Sequence, residues 1–213
     1  MPSSEVILAG LNAIANQWRL LAIFWHGYFI VLLFGLVFGV RPRTQRIGLL
    51  LVLPLFSVGI LAWLHGNPFN GTAFALTGIV LAAIAVRSSR EAVTVAPAWV
   101  AVPGALMVGF GWIYPHFLDN ATPLEYLYAA PTGLIPCPTL SIVIGFTLLL
   151  GGLRSRTWCL VLAIMGLFYG VFGAVRLGVT LDGVLLFGAL ATAYVAFSPL
   201  LRTVNVKGTV DER

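Results

Sequence analysis

Seven apolar runs, nearly all 17 to 23 residues long, are separated in this chain by short polar breaks. A helix rises 1.5 Å per residue, so about 20 apolar residues cross the roughly 30 Å of bilayer hydrocarbon, whereas a membrane β-barrel needs alternating segments of about ten. The runs therefore predict an all-α fold, a polytopic transmembrane helical bundle in contact with the lipid bilayer. Composition agrees: 60% of the 213 residues are hydrophobic and 9% charged, against about 25% charged in soluble domains, and mean hydropathy is +1.00. The net charge of +5 is no nucleic-acid signal, because the basic residues sit in the breaks between apolar runs.

Taken in order, residues 1–17 read as a short interfacial helix with Ser3 or Ser4 as N-cap, able to run on into the first span. Spans follow at about 18–40, 47–64, 72–86, 96–113, 135–152, 157–175 and 183–201, with a long outer segment at 114–134. The third is short enough to suggest a re-entrant element. All belong to one transmembrane domain, 1–213. Cytoplasmic loops collect Lys and Arg. An outside N-terminus puts Arg41, Arg43, Arg46, Arg87, Arg90, Arg154, Arg156, Arg202, Lys207 and Arg213 inside, ten of the twelve basic residues, and leaves Arg19 and Arg176 outside. The C-terminus is then cytoplasmic. Short loops set consecutive helices antiparallel. Gly35 and Gly39, and Gly166, Gly170 and Gly173, suit close helix packing in lipid.

The segment from 114 to 152 carries most of the chemistry. With this topology His65, His116, Asp119, Glu125, Arg176 and Asp182 gather on the outer side. His116 and Asp119, three apart, are neighbours if YPHFLD is helical. With Glu125 and His65 they could bind a divalent cation, His116, Asp119 and His65 being the candidate ligands, set against a capping and salt-bridge network that orders the outer loop. Arg176 and Asp182 flank one turn and are expected to pair. Cys137 sits in IPCPT, where Pro136 and Pro138 fit a helix beginning near Ile135, since the first N–H groups of a helix lack intrahelical partners. The dipole end beside the thiol suits a solute site, with soft-metal binding as the weaker alternative. His26 lies about 12 Å into the first span. An ionisable group there is a functional candidate by default, and the plain alternative is a neutral imidazole bonded to a neighbouring helix between Trp25 and Tyr28.

Walker, GxSxG, CxxC and HExxH motifs are missing from the sequence, so hydrolase, ATPase and thioredoxin-type chemistry has no support. The spans contain no lysine for a retinal Schiff base. No cofactor is identified and no enzyme activity is expected.

GLIPCPTLSIVIGF (133–146) and GVFGAVRLGVTLDGVLLFGAL (170–190) resemble a family of small bacterial multi-pass membrane proteins of unknown function that has a GLPCPT-type segment. The resemblance implies a helical bundle in the bacterial inner (plasma) membrane and directs attention to Pro136, Cys137, Pro138 and Thr139; it implies no activity. The expected function is transport or channel-like passage of a small solute or ion, through an outer vestibule made by 114–134 and a pathway past Cys137, Thr139 and His26. The rivals are a non-catalytic subunit or assembly factor, with membrane-protein partners or further copies of itself, and a small metal or redox protein using the His/Cys/Asp cluster.

Overall fold

The computed structural model describes residues 3–198. Among them are nine α-helices and no strand: α1 (Ser4–Gln17), α2 (Arg19–Val37), α3 (Thr44–Leu64), α4 (Pro68–Arg87), α5 (Ala98–Ile113), the single turn α6 (Tyr126–Ala129), α7 (Pro136–Leu149), α8 (Arg156–Val171) and α9 (Val184–Phe197). Five are long and apolar enough to cross a membrane: α2, α3, α4, α8 with its continuation to Arg176, and α9 with the turn that begins at Thr180. α5 and α7, of 16 and 14 residues, are apolar but shorter. By helix length alone the count is five where the sequence predicts seven.

Local chemistry sets the starts. Ser3, Asn67 and Ser155 each accept a hydrogen bond from a backbone N–H of the first turn of α1, α4 and α8, filling one of the donor vacancies every helix start leaves. Pro68 and Pro136 stand in first turns, where the missing N–H costs nothing. Asn67 explains why α4 begins at Pro68, making it 20 residues rather than the short third span expected from 72–86. α1 does not run on into α2, because Trp18 breaks the helix at φ −110°, ψ 29°.

The helices pack as three antiparallel pairs, α3 with α4, α5 with α7 and α8 with α9. The pairing of α5 with α7 is read from its glycines. A Cβ on Gly104 would lie 2.8 Å from the Gly145 carbonyl oxygen, and one on Gly111 would lie 2.5 Å from that of Pro138. In the α8–α9 pair a Cβ on Gly166 would meet Ala189 at 3.0 Å, and one on Gly170 would meet Leu186 at 2.9 Å. Gly35 and Gly39 are no such contact. A Cβ on Gly35 would meet only Val40, and Gly39 has φ +87°, a left-handed conformation that ends α2. α7 is the hub of the bundle: every residue from Pro136 to Leu148 is buried. A helix that is apolar all round belongs in such a place, and its short length faces protein rather than lipid.

The two ends of the bundle differ. At one end the breaks carrying Arg41, Arg43, Arg87, Arg90 and Arg154 interlock: the Thr44 amide donates to Glu91 O at 2.9 Å, that of Val93 to Pro42 O at 2.9 Å and that of Ala96 to Leu149 O at 2.8 Å, while Arg154 pairs with Glu91. At the other end α1 lies across the termini of α3, α4, α7 and α8. The seventh span's last residues, 199–201, lie outside the described residues, as do Arg202, Lys207 and Arg213, the three basic residues placed inside beyond it.

Candidate functional site

Beneath α1 is a small chamber that carries a cluster of polar groups on its wall. Tyr114, the residue that ends α5, donates from its hydroxyl to Asp182 Oδ1 at 2.6 Å. Both are buried, at 0% and 2% exposure. Burial first, then the neighbouring Cys137 and Asp182, push the phenol far above its ordinary range, so it stays protonated and serves as donor. A second pair spans two other helices: Tyr169 in α8 donates to Asn70 Oδ1 in α4 at 3.0 Å. Cys137, in the first turn of α7, faces the same space. These five side chains and the α1 residues Ile7 and Leu11 wall a cavity of about 20 Å³ open to the centre of a water molecule. Two further cavities, about 40 and 100 Å³, share Ile7 and Asn70 with it. A water needs about 10–15 Å³ on this measure, so the first has room for about one water and the other two for a few each.

The chain is distorted where it forms this wall. The end of α8 widens into a turn of π-helix at Phe172–Arg176, a form often found at functional sites. It presents Gly173 to Asp182 so closely that a Cβ there would lie 1.9 Å from Oδ2. Only glycine lets the carboxylate reach Tyr114.

The residues singled out from the sequence divide. Cys137, Pro136 and Asp182 line the chamber. Pro138, Thr139 and His26 line none of the three cavities. Thr139 is fully buried, donating to Ile135 O at 2.7 Å and accepting from the Gly133 amide at 2.8 Å. His26 stands against α5, with Nδ1 2.9 Å from Ala22 O and Nε2 3.0 Å from Trp112 O. Its ring packs edge-on to Trp112 rather than between Trp25 and Tyr28, which pack on each other. The pathway past Cys137, Thr139 and His26 is therefore not joined by a cavity in this conformation.

The polar residues expected to gather on the outer side are mostly ties for α1. Asp119 accepts from Asn12 Nδ2 at 3.0 Å, Asn16 binds the Phe117 carbonyl and the Asp119 amide, and Arg176 donates to Ser4 Oγ at 2.7 Å. His65 stands 3.1 Å from the Gln17 side chain. Glu125 pairs instead with Arg19 at 3.9 Å, and His116 packs on Phe117. Two expectations are corrected. YPHFLD is not helical, because Phe117 has φ of 72°, so His116 and Asp119 are not neighbours on a helical turn. Arg176 and Asp182 do not pair, since one is drawn to Ser4 and the other into the chamber. Among the described residues no three His, Cys, Asp or Glu side chains are grouped to hold a metal ion, and His116, Asp119 and His65 are not brought together.

Asn70, Tyr114 and Tyr169 are the functional candidates that sequence reasoning missed. The available signal was that a tyrosine hydroxyl at membrane depth needs a partner, which makes the isolated Tyr169 of LFYG a reason to look for one. Compared with family models, with characterised proteins and with solved structures, the chain matches none.

Proposed function

We propose that this chain is a seven-span integral membrane protein that takes a small solute into the chamber under α1, as part of transporting or sensing it. The observation that carries the reading is the Tyr114–Asp182 pair, a buried carboxylate at the wall of a cavity and beside a thiol. A carboxyl group buried away from water is costly to keep, so one set at the wall of a cavity is a candidate for binding. The count of seven includes α5 and α7. Both are apolar, and α7, buried on every face, has no lipid thickness to match. Orientation follows from charge. Arg41, Arg43, Arg46, Arg87, Arg90, Arg154 and Arg156 mark the cytoplasmic end, so the N-terminus, α1 and the chamber face outward and the C-terminus inward. The resemblance of PCPT and its surroundings to the bacterial family favours the bacterial plasma membrane.

The test is labelling of Cys137 from the outer side by a charged, membrane-impermeant thiol reagent, in a Cys159→Ala background. Labelling in intact membranes is expected. A thiol that reacts only after denaturation sinks the reading. A second reading, a non-catalytic subunit or assembly factor with protein partners or copies of itself, draws on the closely packed middle of the bundle, where His26, Thr139, Ser141 and Thr147 are all buried. It predicts co-purifying chains and fails if the purified protein is a stable monomer.

A further inference from the structure

At the opposite end of the bundle from the chamber, on the lipid-facing side, α5 and α9 leave a groove of about 460 Å³ with Leu148 of α7 at its base. Its walls are apolar: Val100 and Pro103 from α5, and Phe187, Leu190 and Tyr194 from α9, these three 49–64% exposed. Phe187, Leu190, Tyr194 and Phe197 follow one another at three- or four-residue steps along one face of α9. At 1.5 Å per residue that stripe is about 15 Å long, the depth of one leaflet of a 30 Å hydrocarbon core.

The basic end of the stripe has the features of a headgroup boundary. Trp99 and Tyr194 pack edge-on at 5.7 Å, and amphipathic aromatic rings prefer that level. Beyond them the Arg156 guanidinium lies over the Phe197 ring, 4.5 Å from its centroid. Among the described residues the ion pairs are Arg19–Glu125 and Arg154–Glu91, so the exposed cation of Arg156 has no carboxylate partner there. The geometry points to a bound anionic phospholipid, one acyl chain in the α5–α9 groove and its phosphate at Arg156. The groove supplies the apolar length, and Arg156 supplies the charge that favours an anionic headgroup over a zwitterionic one. This inference needs only that the bundle be embedded in a bilayer. It stands or falls apart from the chamber.

The experiment uses the full chain in mixed micelles of phosphatidylglycerol and phosphatidylcholine, with retained lipid counted by native mass spectrometry. The wild type is expected to retain phosphatidylglycerol in preference by about fivefold, the effect of one basic residue near a membrane surface. Arg156→Gln should bring the ratio close to one, and Ala191→Trp, which fills the groove, should expel both lipids. Brominated-chain phosphatidylglycerol should also quench Trp99, read as the difference between wild type and Trp99→Phe, so the proposal does not depend on Ala191→Trp folding. It is overturned if the wild type shows no preference, if Arg156→Gln keeps it, or if the Trp99 emission is untouched. A dimer that Ala191→Trp dissociates without changing lipid retention would also overturn it, by making the face a contact between copies.

Discussion

Two sets of buried polar side chains serve this bundle differently. In its middle, Thr139, Ser141 and Thr192 are fully buried and each closes at 2.7 Å on a backbone carbonyl: Ile135 O and Gly188 O one turn back, and Met107 O on the adjacent helix. At the chamber the bonds join side chain to side chain across the fold, Tyr114 to Asp182 and Tyr169 to Asn70. The first kind lets a small hydroxyl sit in an apolar interior without an unpaired group. Packing explains it fully. The second kind sets large polar groups against one another at the wall of a cavity, where filling the interior does not call for them. That difference is why the chamber, rather than the polar middle, is the candidate site.

The comparison can be attacked from either side. The largest effect is expected in the closely packed region. Gly145→Ala puts a Cβ 2.7 Å from the Gly104 carbonyl oxygen, and such overpacking costs about 1–3 kcal/mol, here at the upper end because backbone cannot yield. Denaturant unfolding in micelles measures it. Next comes Asp182→Ala, which leaves the buried Tyr114 hydroxyl without its acceptor, a loss of about 1–3 kcal/mol. Asp182→Asn keeps an acceptor and should lose clearly less. Equal losses would mean that the charge, not the bond, matters to the fold. Ser141→Ala removes one bond to Met107 O and should cost about 1 kcal/mol, leaving Cys137 labelling unchanged. The smallest change in stability is expected for Asn12→Ala at the exposed tie to Asp119, within about 0.5 kcal/mol. It should nevertheless quicken Cys137 labelling, because it frees one fastening of α1.

What the sequence made legible follows from what helices do locally. Apolar run length announced a helical membrane bundle, and the prolines of PCPT marked the start of α7, because both depend on residues close in the chain. Partnerships between residues far apart in the chain were not legible. His65, Asp119 and Arg176 looked like one cluster because topology put them on the same side, yet each is taken up by a different residue of α1, and nothing in their spacing announces Gln17, Asn12 or Ser4. The spacing of His116 and Asp119 misled for a local reason, because left-handed backbone at Phe117 breaks the turn it assumed. Tyr114, Tyr169 and Asn70 were overlooked because each lies in or beside an apolar run, where a single polar group gives no pattern.

One measurement bears directly on the claim that the chamber is a solute site and the layer below it is sealed. It compares thiol labelling from the outer side at two depths of α7, Cys137 in a Cys159→Ala protein and a cysteine placed by Ser141→Cys in a Cys137→Ala, Cys159→Ala protein. The account predicts that Cys137 reacts in intact membranes while the Ser141→Cys thiol, one turn deeper and bonded against α5, reacts only after denaturation. Equal reactivity at the two depths, or none at either until the protein is unfolded, would contradict it.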